Sequence, residues 1–165
     1  MCDELTGLYN RRAFFAEANA AIAQLKNNFQ SIAILMLDID HFKQINDQYG
    51  HAQGDEEVLM VIAETCNAIV QHTGFIGRLG GEEFAATLMN VSQMQALQVA
   101  DNLRHSIAKT VFVGMETANP VTISIGMVMV TESTATLDAS LKLADQTLYC
   151  AKTSGRNRIE QAILT

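Results

Sequence analysis

The residues of this chain best suited to chemistry lie in two short acidic clusters. The first, Asp38-Ile39-Asp40, ends an almost wholly apolar run, Ile32-Ala33-Ile34-Leu35-Met36-Leu37, which reads as a central strand covered on both faces. Alternation along a strand points Asp38 and Asp40 to one side and Ile39 to the other. Asp40 has an ordinary reading as the cap of a helix beginning at His41. Asp38 does not, because an unpaired carboxylate at the end of a buried strand carries a large desolvation penalty. A divalent cation would remove that penalty. Mg²⁺ takes hard oxygen ligands, usually one or two carboxylates together with phosphate oxygens and water.

The second cluster sits in Arg78-Leu79-Gly80-Gly81-Glu82-Glu83-Phe84. Phe75-Ile76 before it and Phe84 to Met89 after it read as strands, so Gly80-Gly81 is a hairpin turn in which glycine supplies positive φ without steric conflict. A lone Gly-Gly-Glu-Glu is most simply a hairpin with solvated glutamates at its tip. Beside a strand ending in Asp38, the same glutamates become candidates for a metal-nucleotide site, with Asp38 and Glu82 or Glu83 as the carboxylate pair.

The elements that must position these groups follow from hydrophobic period and punctuation. Arg12 to Lys26 reads as a helix, His41 to Gln48 as a short one, and Asp55 starts another with Val58, Ile62 and Ile69 on its apolar stripe. Ser92 is a fitting N-cap for a helix through Lys109. Pro120 precedes a long β-type run, Val121 to Val130. A last helix, Leu137 to Lys152, stops before Gly155, and Arg158-Ile159 adds a terminal strand. The order gives a single α+β domain on a ferredoxin-like core, with a central, mostly antiparallel sheet flanked by helices.

Composition bounds the function less sharply. The chain has 165 residues, 48% of them hydrophobic, enough for one domain with a sizeable core. A net charge of -7 argues against general nucleic-acid binding, which needs a basic footprint. Cys2, Cys66 and Cys150 show neither paired spacing nor a zinc pattern, so they read as free thiols in a reducing compartment. No stretch is long and apolar enough to span a bilayer and no signal peptide is evident. The expectation is a soluble, cytoplasmic chain with no membrane contact of its own.

Beyond the two clusters, an ordered series of polar motifs runs along the chain: Asp3-Glu4-Leu5-Thr6-Gly7-Leu8-Tyr9-Asn10-Arg11-Arg12, then Asp38 through Asp47, Gly50-His51, Gly54-Asp55, Gly80 to Phe84, and Ala151 to Asn157. In this series the chain resembles the GGDEF-domain diguanylate cyclases, which condense two GTP into cyclic di-GMP and two pyrophosphates. A series of this length in the family's order is far more specific than any one short motif. The resemblance implies the nucleotide-cyclase topology for residues 1–165. It also implies a site shared between two copies of the domain, in which the ribose 3′-hydroxyl of one GTP attacks the α-phosphate of the other.

By the same resemblance, Asp38, Glu83 and the carbonyl of Ile39 hold Mg²⁺ or Mn²⁺, with Glu82 as a further metal contact. Glu82 accepts the hydroxyl proton and Lys43 is the second catalytic group. Substrate binding falls to Lys43, Lys152 and Arg156, with the backbone amides of His41 and Phe42, on the phosphates. Asn46 and Asp55 take the guanine edge, and His51 shapes the pocket. Free amides at a helix start suit anions, whereas Lys152 and Arg156 also have a plain reading as cations complementing the end of a helix. A noncatalytic GTP- or dinucleotide-binding module is the alternative function. The family match begins at Asp3, which leads to the expectation of a module excised from a longer, sensor-containing protein.

Many relatives carry an Arg-x-x-Asp product-binding motif ending just before the five residues that precede Gly-Gly. Here that stretch is Gln71-His72-Thr73-Gly74, which has neither the forked cation nor the carboxylate. No product-inhibition site is expected.

Overall fold

The computed structural model describes residues 1–28, 31–50, 56–115, 120–131 and 135–164. In chain order the elements are α1 (Arg11–Asn28), β1 (Ile32–Ile39), α2 (Phe42–Gly50), α3 (Glu57–Val70), β2 (Gly74–Gly80), β3 (Glu83–Met89), α4 (Gln93–Lys109), β4 (Ile123–Val130), α5 (Leu137–Thr153) and β5 (Ile159–Leu164). The sheet order is β2-β3-β1-β4-β5. β1 lies between β3 and β4 and is antiparallel to both, β2 and β3 form the hairpin, and β5 joins β4 in parallel. The unit β1-α3-β2-β3-α4-β4 is the ferredoxin-like core. β5 follows from a β4-α5-β5 crossover, the connection a parallel pair requires.

β1 is buried at every residue, as its apolar run demanded, because helices cover both faces of the sheet. Leu35, Leu37 and Ile39 face the layer of α3 and α4, with Ile62, Leu103 and Ile107. Ile34 and Met36 face α1 and α5, with Phe14, Ile22 and Leu148. Asp38 continues the second set and therefore points toward α5. That helix lies unusually close to β4: a Cβ on Gly126 would stand 2.4 Å from the Ala144 carbonyl oxygen and 2.4 Å from the Leu148 nitrogen. Only glycine there lets α5 sit low enough to bring its last turn to the end of β1.

Helix α4 starts with a capping box in which Ser92 and Gln95 satisfy each other's backbone N–H. Thr136 caps α5 through the Ala139 amide. The methionines Met127 and Met129 are core filler. The three cysteines are unpaired, and burial pushes the Cys66 thiol up to about 12, which leaves it inert. No described helix is long and apolar enough to cross a membrane.

Candidate active site at the end of β1 and the β2–β3 turn

The antiparallel register of β1 and β3 places Asp38 opposite Glu83, and directly opposed residues hold their Cβ atoms about 4.5–5.5 Å apart. Two residues that are far apart in sequence thus become neighbours at one end of the sheet. Glu82 stands beside them because the turn closes at Gly81, whose φ of 51° is left-handed. Glu82 and Glu83 are half-buried, and among the described residues neither side chain has a hydrogen bond or ion pair.

Asp38 is 4% exposed, and its carboxylate accepts a short hydrogen bond from the Lys152 ammonium at the end of α5. Desolvation dominates its titration, and Glu82 and Glu83 add repulsion. Lys152 opposes both, and the net result lifts the carboxyl to about 6. The sequence left Asp38 without a protein partner and placed Lys152 on the phosphates. The structure corrects the first expectation, because the fold brings a cation from more than a hundred residues away to the end of β1.

Among the described residues no three His, Cys, Asp or Glu side chains form a ready-made metal cluster. The donor set nevertheless suits a hard divalent cation. Asp38 and Glu83 are adjacent oxygen donors in a desolvated, mutually repelling arrangement, and Mg²⁺ characteristically completes such a pair with phosphate oxygens and water. The side chain of Ile39 is buried.

The start of α2 flanks this end of the sheet. His41 adopts a left-handed φ of 56° just before the helix, and the side chains of His41 and Lys43 are exposed. Arg156 lies in the turn after α5 and is also exposed. Among the described residues the side chains of Lys43 and Arg156 have no partner, so both are available to an anion. Asn46 is half-buried, and its Oδ1 is buried without a hydrogen-bond partner. A buried acceptor left open in this way suits a ligand that brings N–H donors. His51 and Asp55 lie outside the described residues.

Asp40 does not serve as the expected helix cap. Its carboxylate accepts from the hydroxyls of Thr122 at 2.7 Å and Ser124 at 2.6 Å and from the Asn157 amide at 3.0 Å. Those partners come from the segment before β4, from β4 and from the turn after α5, none of which local sequence could reveal.

The sequence also gave no role to the N-terminal signature, and here the structure supplies one. Asp3 accepts from the amide and hydroxyl of Thr6 and from Arg78 Nη1 at 3.2 Å, while Arg78 Nε donates to the Gly81 carbonyl at 2.9 Å. Burial works against the Asp3 charge, but the bonds from Thr6 and Arg78 outweigh it and hold the carboxyl below its ordinary range. Arg78 therefore braces the turn that presents Glu82, and the first residues of the chain brace Arg78. The signal was the shared Asp-Arg chemistry, which sequence alone could not pair. Arg11 stacks over the Phe15 ring, 4.7 Å from its centroid.

The model of the diguanylate cyclase GGDEF-domain family matches residues 1–158. The chain belongs to that family. It is 36% identical over 156 residues to a diguanylate cyclase of Vibrio cholerae serotype O1, covering 94% of this chain and 48% of that protein. Among solved structures, the GGDEF domain of DgcB from Caulobacter crescentus in complex with c-di-GMP superposes with a TM-score of 0.90 at 29% identity, covering 97% of this chain and 92% of that one. The active GGEEF domain of a diguanylate cyclase from Vibrio cholerae gives 0.86 at 33% identity, covering 94% and 98%. The chain spans about half the length of the first curated relatives it matches, or less.

At the Gln71 to Gly74 stretch, geometry adds to what the sequence lacks. A Cβ on Gly74 would stand 1.8 Å from the Thr87 carbonyl oxygen, because β2 and β3 meet there at a tightly paired position. The adjoining hollow of about 360 Å³ is lined by Thr73, Asn90, Gln95, Gln98 and Asn102 with no charged side chain. Restoring an Arg-x-x-Asp motif with Gln71→Arg and Gly74→Asp is therefore expected to lower stability by about 1–3 kcal/mol, the usual range for overpacking, without creating tight c-di-GMP binding. Calorimetry and thermal melts of the double variant check both parts, and a stable variant with submicromolar c-di-GMP affinity would refute them.

Proposed function

We propose that this domain is a diguanylate cyclase that condenses two GTP into c-di-GMP with release of two pyrophosphates, each of two copies contributing half of the site. The observation that carries the reading is the pairing of Asp38 with Glu83 beside Glu82 on a braced Gly-Gly turn, in a chain of this family. The domain from Vibrio cholerae described as active carries the same Gly-Gly-Glu-Glu-Phe form of the motif in its description as a GGEEF domain, which supports turnover over a purely binding role.

In this reading Asp38, Glu83 and the Ile39 carbonyl hold Mg²⁺ or Mn²⁺, with Glu82 as an additional contact. A bound divalent cation would neutralise charge building on the transferring phosphate and ease deprotonation of the attacking hydroxyl. Glu82, unpartnered and at the turn, accepts that proton as general base. Lys43, Arg156 and the amides of His41 and Phe42 take phosphate oxygens, with Lys43 also steadying charge on the reacting group. Lys152 serves the same phosphates once Asp38 has another counter-charge. Asn46, with Asp55 and His51, receives the guanine. An acceptor carboxylate at Asp55 matches the N1–H and 2-amino donors of guanine, which adenine does not offer together.

The test is incubation of purified protein with Mg²⁺ and either GTP or ATP, followed by mass spectrometry of the products. c-di-GMP from GTP alone is the expected result, and absence of any cyclic dinucleotide would refute the reading. Because the site needs two copies, specific activity should rise with enzyme concentration. It should rise further when a dimerising coiled coil is fused ahead of Asp3, through effective concentration. A turnover number that is flat across a hundredfold dilution of a demonstrably monomeric domain would count against the shared site.

A further inference from the structure

Three consecutive residues after α5 have positive φ: Gly155 at 127°, Arg156 at 64° and Asn157 at 46°. The left-handed region is unfavourable for side chains other than glycine, and such strain persists only where surrounding groups impose it. Two N–H groups of this turn are held from inside. The Arg156 amide donates to the Ala151 carbonyl at 3.0 Å and so closes the end of α5. The Asn157 amide donates to Asp40 Oδ2 at 3.0 Å. From outside, Arg158 Nε reaches the Arg156 carbonyl and Arg104 reaches Asn157 Oδ1, both bonds between exposed groups.

Asp40 is the buried end of this arrangement. It is 4% exposed and its backbone N–H donates to the Thr122 carbonyl, while its carboxylate takes three donors, from Thr122, Ser124 and Asn157. A buried carboxylate is tolerated only with such satisfaction. Bonds to a charged acceptor are also stronger and more exacting in geometry than neutral ones. The consequence falls on Arg156, whose exposed side chain projects from a turn with glycine at only one of its three positive-φ positions, held on one side by its own amide on the Ala151 carbonyl and on the other by the Asn157 amide on the buried Asp40 carboxylate.

We propose that Asp40 is a positioning residue for triphosphate recognition: it holds the Gly155–Asn157 turn in its left-handed form and so fixes where Arg156 meets the phosphates. The proposal rests on the GTP reading above. It gives a buried residue beside the metal-binding candidates a role that is neither metal ligation nor helix capping.

Asp40→Asn keeps the shape but cannot present two acceptor oxygens. One amide group must face a donor, and the charge that strengthens the bond to the Asn157 amide is gone. The expected effect is a rise of about tenfold in the KM for GTP, the scale of one charged hydrogen bond, with a much smaller change in kcat. The deciding measurement is a double-mutant cycle with Arg156→Ala. If Asp40 acts through Arg156, Asp40→Asn adds little to the KM of the Arg156→Ala domain. A general structural role would multiply the two effects, and that outcome overturns the proposal.

Two further arms keep the proposal and the functional reading separable. Hydrogen exchange of the Asn157 amide, measured without nucleotide, should accelerate at least about tenfold in Asp40→Asn, since the opened turn loses its buried acceptor. Unchanged protection overturns the proposal whatever the domain binds, whereas lost protection in a domain that binds no GTP would overturn the GTP reading and leave no phosphates for the turn to serve. Asn157→Gly removes the backbone strain at that position and should reverse part of the rise in KM caused by Asp40→Asn. A KM that stays as high in the Asp40→Asn, Asn157→Gly double variant overturns the proposal. Should Asp40→Asn not fold, Ser124→Ala removes one donor and leaves the carboxylate. It should raise KM by a smaller factor that likewise vanishes in the Arg156→Ala background, and a persistent factor there overturns the proposal.

Discussion

Glu82→Gln is expected to slow c-di-GMP formation by about 10²–10⁴-fold, the usual contribution of a positioned general base, while GTP binding changes little. Glutamine matches the size of glutamate and keeps an oxygen that can touch a cation, but it does not accept a proton from a hydroxyl. Glu82 is half-buried at a turn rather than in the core, and the brace from Arg78 to the Gly81 carbonyl does not involve its side chain, so the fold should persist. Single-turnover assays by chromatography and mass spectrometry, with calorimetric titration of GTP on the same preparation, separate chemistry from binding. Turnover within a few-fold of the parent would remove Glu82 from the role of base.

Asp38→Asn should be as damaging to activity and opposite in its effect on stability. Losing one of two adjacent carboxylates is expected to lower turnover by on the order of 10³-fold, comparable to removing a preorganised electrostatic contact, and to weaken Mn²⁺ binding in a direct titration. The folded-state carboxyl titrates near 6, raised mainly by desolvation, against the ordinary 3.8. The native state therefore binds the proton more readily than the unfolded chain. Stability from this group is fully present below about pH 4, is lost as pH rises through 6, and is absent at pH 7.5. Asparagine is neutral throughout, so the melting temperature of Asp38→Asn relative to the parent should be higher at pH 7.5 than at pH 4.5. The Lys152 ammonium, which is partly exposed, can turn to water when its partner loses charge. A variant less stable than the parent at pH 7.5 by the same margin as at pH 4.5 would show that Asp38 is not held against a desolvation penalty. In the parent, Mn²⁺ affinity should fall as pH drops below 6, because the ligand then carries a proton.

These expectations share one physical origin. A carboxyl group is kept where the fold disfavours its charge, at the end of a strand whose other residues are all apolar, and the proposed function gives it a use as a ligand with little competing water. Stability is given up locally, and the surrounding core supplies it.

Much of this was legible in the order of residues alone. The unbroken apolar run Ile32 to Leu37 read as a strand covered on both faces, and Gly80-Gly81 between two β-type segments read as a hairpin turn. The Ser92 cap fixed the start of α4 because its side chain and that of Gln95 act within one helical turn. Motif order pointed to the family, since several different short motifs stand along the chain in the family's order. The sequence likewise shows neither an arginine at position 71 nor an aspartate at position 74.

What only the tertiary structure decided were the long-range partners. Strand register, not sequence distance, set Asp38 against Glu83. The close seating of α5 on Gly126 brought Lys152 to Asp38 and so set the charge state of the site. Asp3 found Arg78 across the chain and tied the N-terminal signature to the Gly-Gly turn. Asp40 left the local helix it was expected to cap for two hydroxyls and an amide brought together by β4 and α5. Sequence fixes which groups can ionise, donate or accept, but which of them meet is settled by packing, because side-chain hydrogen bonds and ion pairs act only over a few ångströms and the chain crosses that distance wherever the core closes.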